Sequence, residues 1–188
     1  YTGYYMSVAR NTSTSTTISF TTPYYVYNVS SSYSDVVTSD LDGDGKIDVA
    51  LNNRYGGISS VITYRNTSSP SSVSVGAISE FAATSTTNIT DIAAADIDKD
   101  GKPDLIVSYN NNTISVFRNT SSIGSITFGP KIDITIGASS VINGIATGDL
   151  DGDGKVDIAL SSGAGNNISF LRNQSSVGTI SFAVYTSY

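Results

Sequence analysis

The chain has 188 residues, no Cys and no His, and 16 acidic against 10 basic residues, for a formal charge of −6. These counts exclude disulfides, thiol nucleophiles, His-based zinc sites and Ser-His-Asp or Cys-His catalysis. No run reaches the roughly 18 apolar residues of a membrane span, and no basic cluster invites nucleic acid, so neither membrane insertion nor a nucleic-acid partner is expected.

The chain starts without a basic-then-apolar leader pattern and reads as mature or internal. Its first recognisable segment, YYMSVARNTSTSTTISF (4–20), is the second half of a unit that recurs three more times. The next unit opens with a strand, DVVTSD (35–40), and enters the acidic run DLDGDGKID. An alternating stretch, IDVALNN (47–53), follows, then SSVITYRNTSS (59–69) and the short strand ISEF (78–81). The third copy runs through ITDIAAAD (89–96), DIDKDGKPD, PDLIVSYNN (103–111), TISVFRNTSS (113–122) and SITF (125–128). The fourth runs through INGIATGD (142–149), DLDGDGKVD, VDIALSSG (156–163), NISFLRNQSS (167–176) and TISF (179–182). Arg10, Arg65, Arg118 and Arg172 mark the period, each followed by Asn. An outer strand ending in an Asn-led turn, with the Arg stem packed along its neighbour, explains that recurrence.

Short β runs broken by turn chemistry, about four per unit of 50-odd residues, fit the blades of a β-propeller. The expected fold is all-β, with blades of about four antiparallel strands. The units are 1–20 (end of a preceding blade), 21–81, 82–128 and 129–182 (blades), and 183–188 (trailing strand or tail). Three full units do not close a ring of the usual four to eight blades. The chain therefore reads as a partial propeller, completed by further blades or a partner chain.

Asp-x-Asp-x-Asp-Gly-x-x-Asp occurs from Asp40, from Asp96 and from Asp149, and 12 of the 16 acidic residues lie in these loops. No apolar core needs carboxylates at every second position, whereas Ca²⁺ takes six to eight oxygen ligands. Three divalent ions would cancel the formal charge. With blade-like strands around them, the loops resemble those of the FG-GAP/VCBS repeat family, including the calcium-bearing blades of integrin alpha-subunit propellers. The DLDGDGK(I/V)D wording is closer to the bacterial VCBS style, and Phe128-Gly129-Pro130 is the nearest trace of the motif that names the family.

Within that frame the expected ligands are Asp40, Asp42, Asp44, the Lys46 carbonyl and Asp48. The second loop offers Asp96, Asp98, Asp100, the Lys102 carbonyl and Asp104; the third offers Asp149, Asp151, Asp153, the Lys155 carbonyl and Asp157. The lysine side chains should point to solvent. An EF-hand is ruled out because loop position 12 is Leu51, Val107 or Leu160 instead of a bidentate Glu. A cation among four mutually repelling carboxylates clamps adjacent strands, a structural role with no catalytic part.

The family resemblance implies adhesion modules, lectins, surface-layer components and scaffolds of secreted enzymes. A non-catalytic, calcium-stabilised binding or adhesion module in the extracellular space or at the cell surface is expected, with a glycan or extracellular protein as partner. The alternatives are a self-assembling repeat of a surface filament or layer, and the scaffold part of a secreted polysaccharide-acting enzyme. Tyr24, Tyr25, Tyr27 and Tyr33 gather as a candidate contact surface. An enzyme reading has to combine Tyr, Arg and Asp outside the loops, such as Asp35, Asp91 and Asp133, whose spacing suggests no nucleophile–base pairing.

Overall fold

The computed structural model describes residues 4–29, 35–55, 58–84, 87–137, 141–163, 166–183 and 186–187. Among them every regular element is a β-strand. Strands β1 (Tyr4–Val8) and β2 (Tyr24–Val29) pair as a two-stranded half sheet. A four-stranded antiparallel sheet follows from β3 (Val36–Ser39), β4 (Asp48–Tyr55), β5 (Ile58–Asn66) and β6 (Val75–Thr84), in chain order. The next holds β7 (Ile89–Ala95), β8 (Asp104–Tyr109), β9 (Thr113–Phe117) and β10 (Ile132–Thr135). The last holds β11 (Ile142–Gly148), β12 (Asp157–Ser162), β13 (Asn167–Leu171) and β14 (Thr186–Ser187). Three up-and-down sheets preceded by a half sheet are the blades of a partial propeller, as the repeat implies.

The strands alternate as the stacking of blades requires. In β8 all six residues are buried, because this sheet is covered on both faces. Leu105 and Val107 point to the preceding blade, where they join Leu41, Ala50 and Val61. Ile106 points the other way, to Ile142, Ile158, Leu160 and Leu171 of the following blade. The half sheet is packed in the same manner, Met6 lying against Leu51, Ile62 and Tyr64. Each inter-blade layer is thus a separate slab of apolar side chains.

One strand assignment changes. ISEF lies within β6, but SITF and TISF are not the outer strands of their sheets. Phe128 bridges Asn119 and Phe182 bridges Asn173, as Phe20 bridges Asn11, so each segment closes a tight hairpin begun by the Arg-Asn pair. The hairpin forms because the Asn Oδ1 accepts the N–H two residues on, at 2.8 Å from Ser121 and 2.7 Å from Ser175, and the serine hydroxyl then bonds the returning strand. Ile126 and Ile180 are turned into the slabs between blades. The outer strands come later, at β10 and β14. The sheets accordingly run a few residues beyond the sequence units, and β2, within 21–81, hydrogen-bonds to β1 of the half blade.

Candidate metal centres and the ties around them

Each acidic loop joins the first strand of a blade to the second. Asp40, Asp42 and Asp48 each bring a carboxylate oxygen to within 4.8 Å of the others, as do Asp96, Asp98 and Asp104, and Asp149, Asp151 and Asp157. The curl is local. Asp40 Oδ1 accepts the N–H groups of Gly43 and Asp44 at 2.9 and 3.1 Å, and Oδ2 accepts that of Gly45 at 2.9 Å. Gly43 and Gly45 take φ of +77° and +84°, which a side chain disfavours. The second loop carries Lys99 in place of the first glycine and still adopts φ of +61° there.

Of the predicted ligands, the first, third and ninth loop positions converge. The fifth does not join them: Asp44, Asp100 and Asp153 turn one oxygen to the lysine N–H two residues on and the other to an arginine. Lys46 stays half exposed, 3.9 Å from Asp44. Lys102 and Lys155 depart from the expected solvent direction and donate to the carbonyls of Ser121 and Ser175 at 2.7 and 2.9 Å.

Those arginines are the functional residues that sequence reasoning placed elsewhere. Arg65 Nε lies 2.5 Å from Asp42 Oδ2 and Nη2 lies 2.8 Å from Asp44 Oδ2; Arg118 makes both bonds at 2.6 Å to Asp98 and Asp100. Arg172 does the same with Asp151 and Asp153. The period that suggested a packed stem marks a guanidinium fork across two loop carboxylates. Asn66, Asn119 and Asn173 then donate their backbone N–H to the last carboxylate, Asp48, Asp104 or Asp157, at 2.7–2.8 Å.

The electrostatics separate the carboxylates. Burial pushes Asp48 up and Asp104 up to about 6, against the N–H bonds that each accepts; the charges of Asp98 and Asp100 add to the rise at Asp104. Burial also works on Asp42 and Asp98, but the arginine and a glycine N–H outweigh it and hold both below the ordinary range. In each of the first two loops a wholly buried carboxylate sits beside ionised neighbours. An all-oxygen donor set with that much negative charge fits a hard divalent cation.

The loops are also tied across blades. Gly124 donates its N–H to Asp42 at 2.8 Å and Gly178 donates to Asp98 at 2.7 Å, each from the hairpin of the following blade. Asn119 Nδ2 reaches the Leu41 carbonyl at 2.9 Å and Asn173 Nδ2 reaches the Ile97 carbonyl at 2.8 Å. The hairpin of one blade therefore caps the acidic loop of the blade before it.

Asp35 and Asp91 come together, which their separation in sequence concealed. Asp35 precedes β3 and Asp91 lies on β7, adjacent first strands of neighbouring blades. Asp35 Oδ2 accepts the Ile92 N–H at 3.2 Å and Asp91 Oδ2 accepts the Ile145 N–H at 2.5 Å. Burial, and after it the neighbouring Asp35 carboxyl, push Asp91 up to about 6. Both acids thus stitch one blade's backbone to the next. Asp133 stands apart on β10, bonded to Ser115 and Lys131. Tyr24 and Tyr25 are exposed at the start of β2, while Tyr33 lies outside the described residues.

Stacked four-stranded blades, each with an acidic loop after its first strand whose carboxylates could hold a metal ion, define a propeller-type repeat protein. FG-GAP-like repeats match residues 40–107 and 96–160, and an FG-GAP repeat matches 142–182. The chain belongs to the FG-GAP repeat family. No curated protein matches it. Among solved structures it is similar to "Crystal structure of BBS1N in complex with ARL6DN, soaked with lead", at 17% identity and a TM-score of 0.37, over 81% of this chain and 56% of that one. The chain thus spans little more than half the length of that neighbour.

Proposed function

We propose that the chain is a calcium-stabilised, non-catalytic binding module of an extracellular or cell-surface protein, with a glycan or a protein as its ligand. The observation that carries this reading is the threefold acidic cluster, each copy roofed by an arginine fork. Asp40, Asp42 and Asp48, with their counterparts in the other loops, would hold Ca²⁺; the ion supplies the positive charge that lets the buried carboxylates stay ionised. Each loop's remaining bonds go to arginines, lysine N–H groups and neighbouring backbone, which are the ties of a structural clamp. Asp35 and Asp91 are engaged on backbone N–H groups, in keeping with a role outside catalysis. The rigid stack then presents its loops and edges to a partner. A glycan array and a pull-down, each run with calcium and with chelator, test this: calcium-dependent capture is expected, and cleavage of a polysaccharide by the chain would overturn it.

The pH response should change sign with the metal. In chelated protein the folded pKa of Asp104 is raised, so its ionised form weakens the fold above about 6, and protonation relieves that penalty as pH falls towards 4. Asp48 acts in the same direction. Asp42 and Asp98 have depressed values; their contribution is full above the ordinary carboxylate range and is lost only at lower pH. Between pH 7 and 5 the unfolding temperature of chelated protein should therefore rise. With calcium it should fall, because protons displace the ion from the same carboxylates. Thermal melts across that range in calcium and in EDTA check the crossing; parallel curves would contradict it.

A further inference from the structure

Away from the acidic loops, the first strands of the blades are joined by a short ladder of carboxyls. Asp35, just before β3, accepts the N–H of Val36 on Oδ1 at 2.8 Å and that of Ile92, in the next blade, on Oδ2 at 3.2 Å. Asp91, on β7, accepts the same Ile92 N–H on Oδ1 at 2.8 Å, and its Oδ2 takes the Ile145 N–H of the blade after. Two carboxyl oxygens from neighbouring blades therefore converge on one N–H. The third blade carries Gly144 at the matching position of its first strand. A Cβ there would stand 2.9 Å from Ser161 Oγ and 3.8 Å from Asp91 Oδ2, so the ladder stops at two acids.

One N–H does not offset two negative charges, so a pair held this close favours keeping a proton. Among the described ion pairs neither acid has a basic partner. The strands packed on β7 are β3, β4, β8 and β11. Asp48 and Asp104 stand at the loop ends of β4 and β8, about 13 Å along the strands at 3.3 Å per residue, and Asp40, Asp96 and Asp149 follow the same ends. Tyr109, at the other end of β8, has its phenol pushed up to about 12 by burial and stays neutral. Strand β11 carries no titratable side chain, and Arg54, on β4, is the basic residue of the set. Burial, and after it Asp35, hold Asp91 at about 6. Burial works on Asp35 too, but the Asp91 carboxyl and the N–H groups of Val36 and Ile92 outweigh it and keep Asp35 below the ordinary range.

We infer that Asp35 and Asp91 form a proton-operated latch between neighbouring blades: one proton held between the two carboxyls ties β3 to β7, and its loss leaves like charges across the interface and loosens it. Asp91 is raised in the folded chain, so the penalty of ionising it is absent below the ordinary value of 3.8, grows through the interval and is complete above about 6. Asp35 is depressed, and its contribution stays full above the ordinary value. The Ile145 N–H sits on the same Asp91 carboxyl, so the following blade feels the change as well. The latch rests on blade packing and needs no metal. It tightens over the pH interval in which the loops, on the calcium reading above, give up their ions, so the blades stay joined as those clamps open.

Carboxyl carbon shifts of the full chain, followed by NMR against pH with calcium present, test it; the Asp91 signal is the one missing in Asp91→Asn. Asp91 should titrate near 6. In Asp35→Asn the step should move down, because the amide brings no charge and can donate to the remaining carboxylate. In Arg54→Gln it should stay in place. Amide exchange, corrected for its intrinsic pH dependence, gives a second reading. Opening at Ile92 and Ile145 should increase about tenfold from pH 5 to 7.5, as a folded value near 6 against an ordinary 3.8 implies. Ile62, in the slab against the half sheet, should change little, and the tenfold increase should vanish in Asp91→Asn. An Asp91 that titrates in the ordinary carboxylate range overturns the latch. So does a step unmoved in Asp35→Asn, a step lost in Arg54→Gln, or opening at both amides that is independent of pH.

Discussion

Calcium should raise the unfolding temperature of chelated protein by roughly 20 °C. A site held at a hundredfold excess over its Kd stabilises the fold by about 2.7 kcal/mol, and three such sites by about 8 kcal/mol. In a domain of this size each kcal/mol corresponds to about 2–4 °C. Most of the effect should come from the first two loops. Their third-position aspartates, Asp42 and Asp98, are 4% and 0% exposed and are fixed by an arginine and a cross-blade N–H, while Asp151 is exposed. Titration calorimetry should therefore find two tight sites and one weaker one. Mg²⁺ prefers octahedral geometry with retained water and should give a smaller shift. Identical melting curves in calcium, magnesium and EDTA would sink the structural role of the ion.

The blade period and the acidic loops were legible because both are written in nearest-neighbour chemistry. Asp at alternate positions with Gly between them can only curl, and the alternation in IDVALNN or VDIALSS forces a strand with two unlike faces. The half blade was legible for the same reason, since YYMSVARNTS repeats a known half. What stayed hidden depends on contacts between units. Arg118 and Asp98 are 20 residues apart, and nothing in either segment says that the guanidinium lies across the loop instead of along the strand. Asp35 and Asp91 are 56 positions apart and meet only because β3 and β7 are adjacent first strands. The outer strands were misread in two blades because SITF and TISF have strand-like composition, and only the Asn-led turn decides that they fold back. The exposure of Leu150 beside the burial of Leu41 and Ile97, three residues in the same motif, reflects what is stacked on them.

Asn119→Ala should lower stability by about 3 kcal/mol, roughly 10 °C, with calcium present and absent alike. The Asn119 side chain is wholly buried and makes three bonds: Nδ2 to the carbonyls of Leu41 and Pro103 at 2.9 and 2.8 Å, and Oδ1 from the Ser121 N–H at 2.8 Å. Alanine leaves the buried Leu41 carbonyl and Ser121 N–H and the partly buried Pro103 carbonyl without these partners, and each orphan costs its desolvation. Asn119→Asp should be no better, because it keeps the acceptor for Ser121 but turns an acceptor on two carbonyl oxygens. Asn173 makes the equivalent bonds to Ile97 and Val156 and should respond like Asn119. Asn66 is only partly buried and donates to the Ile47 carbonyl, so Asn66→Ala should cost about 1 kcal/mol. The graded series separates the effect from a general intolerance of the Arg-Asn turn, which would penalise all three asparagines alike. Denaturant melts read at the midpoint measure it, and an Asn119→Ala protein as stable as wild type would mean that the blades are not joined through this side chain.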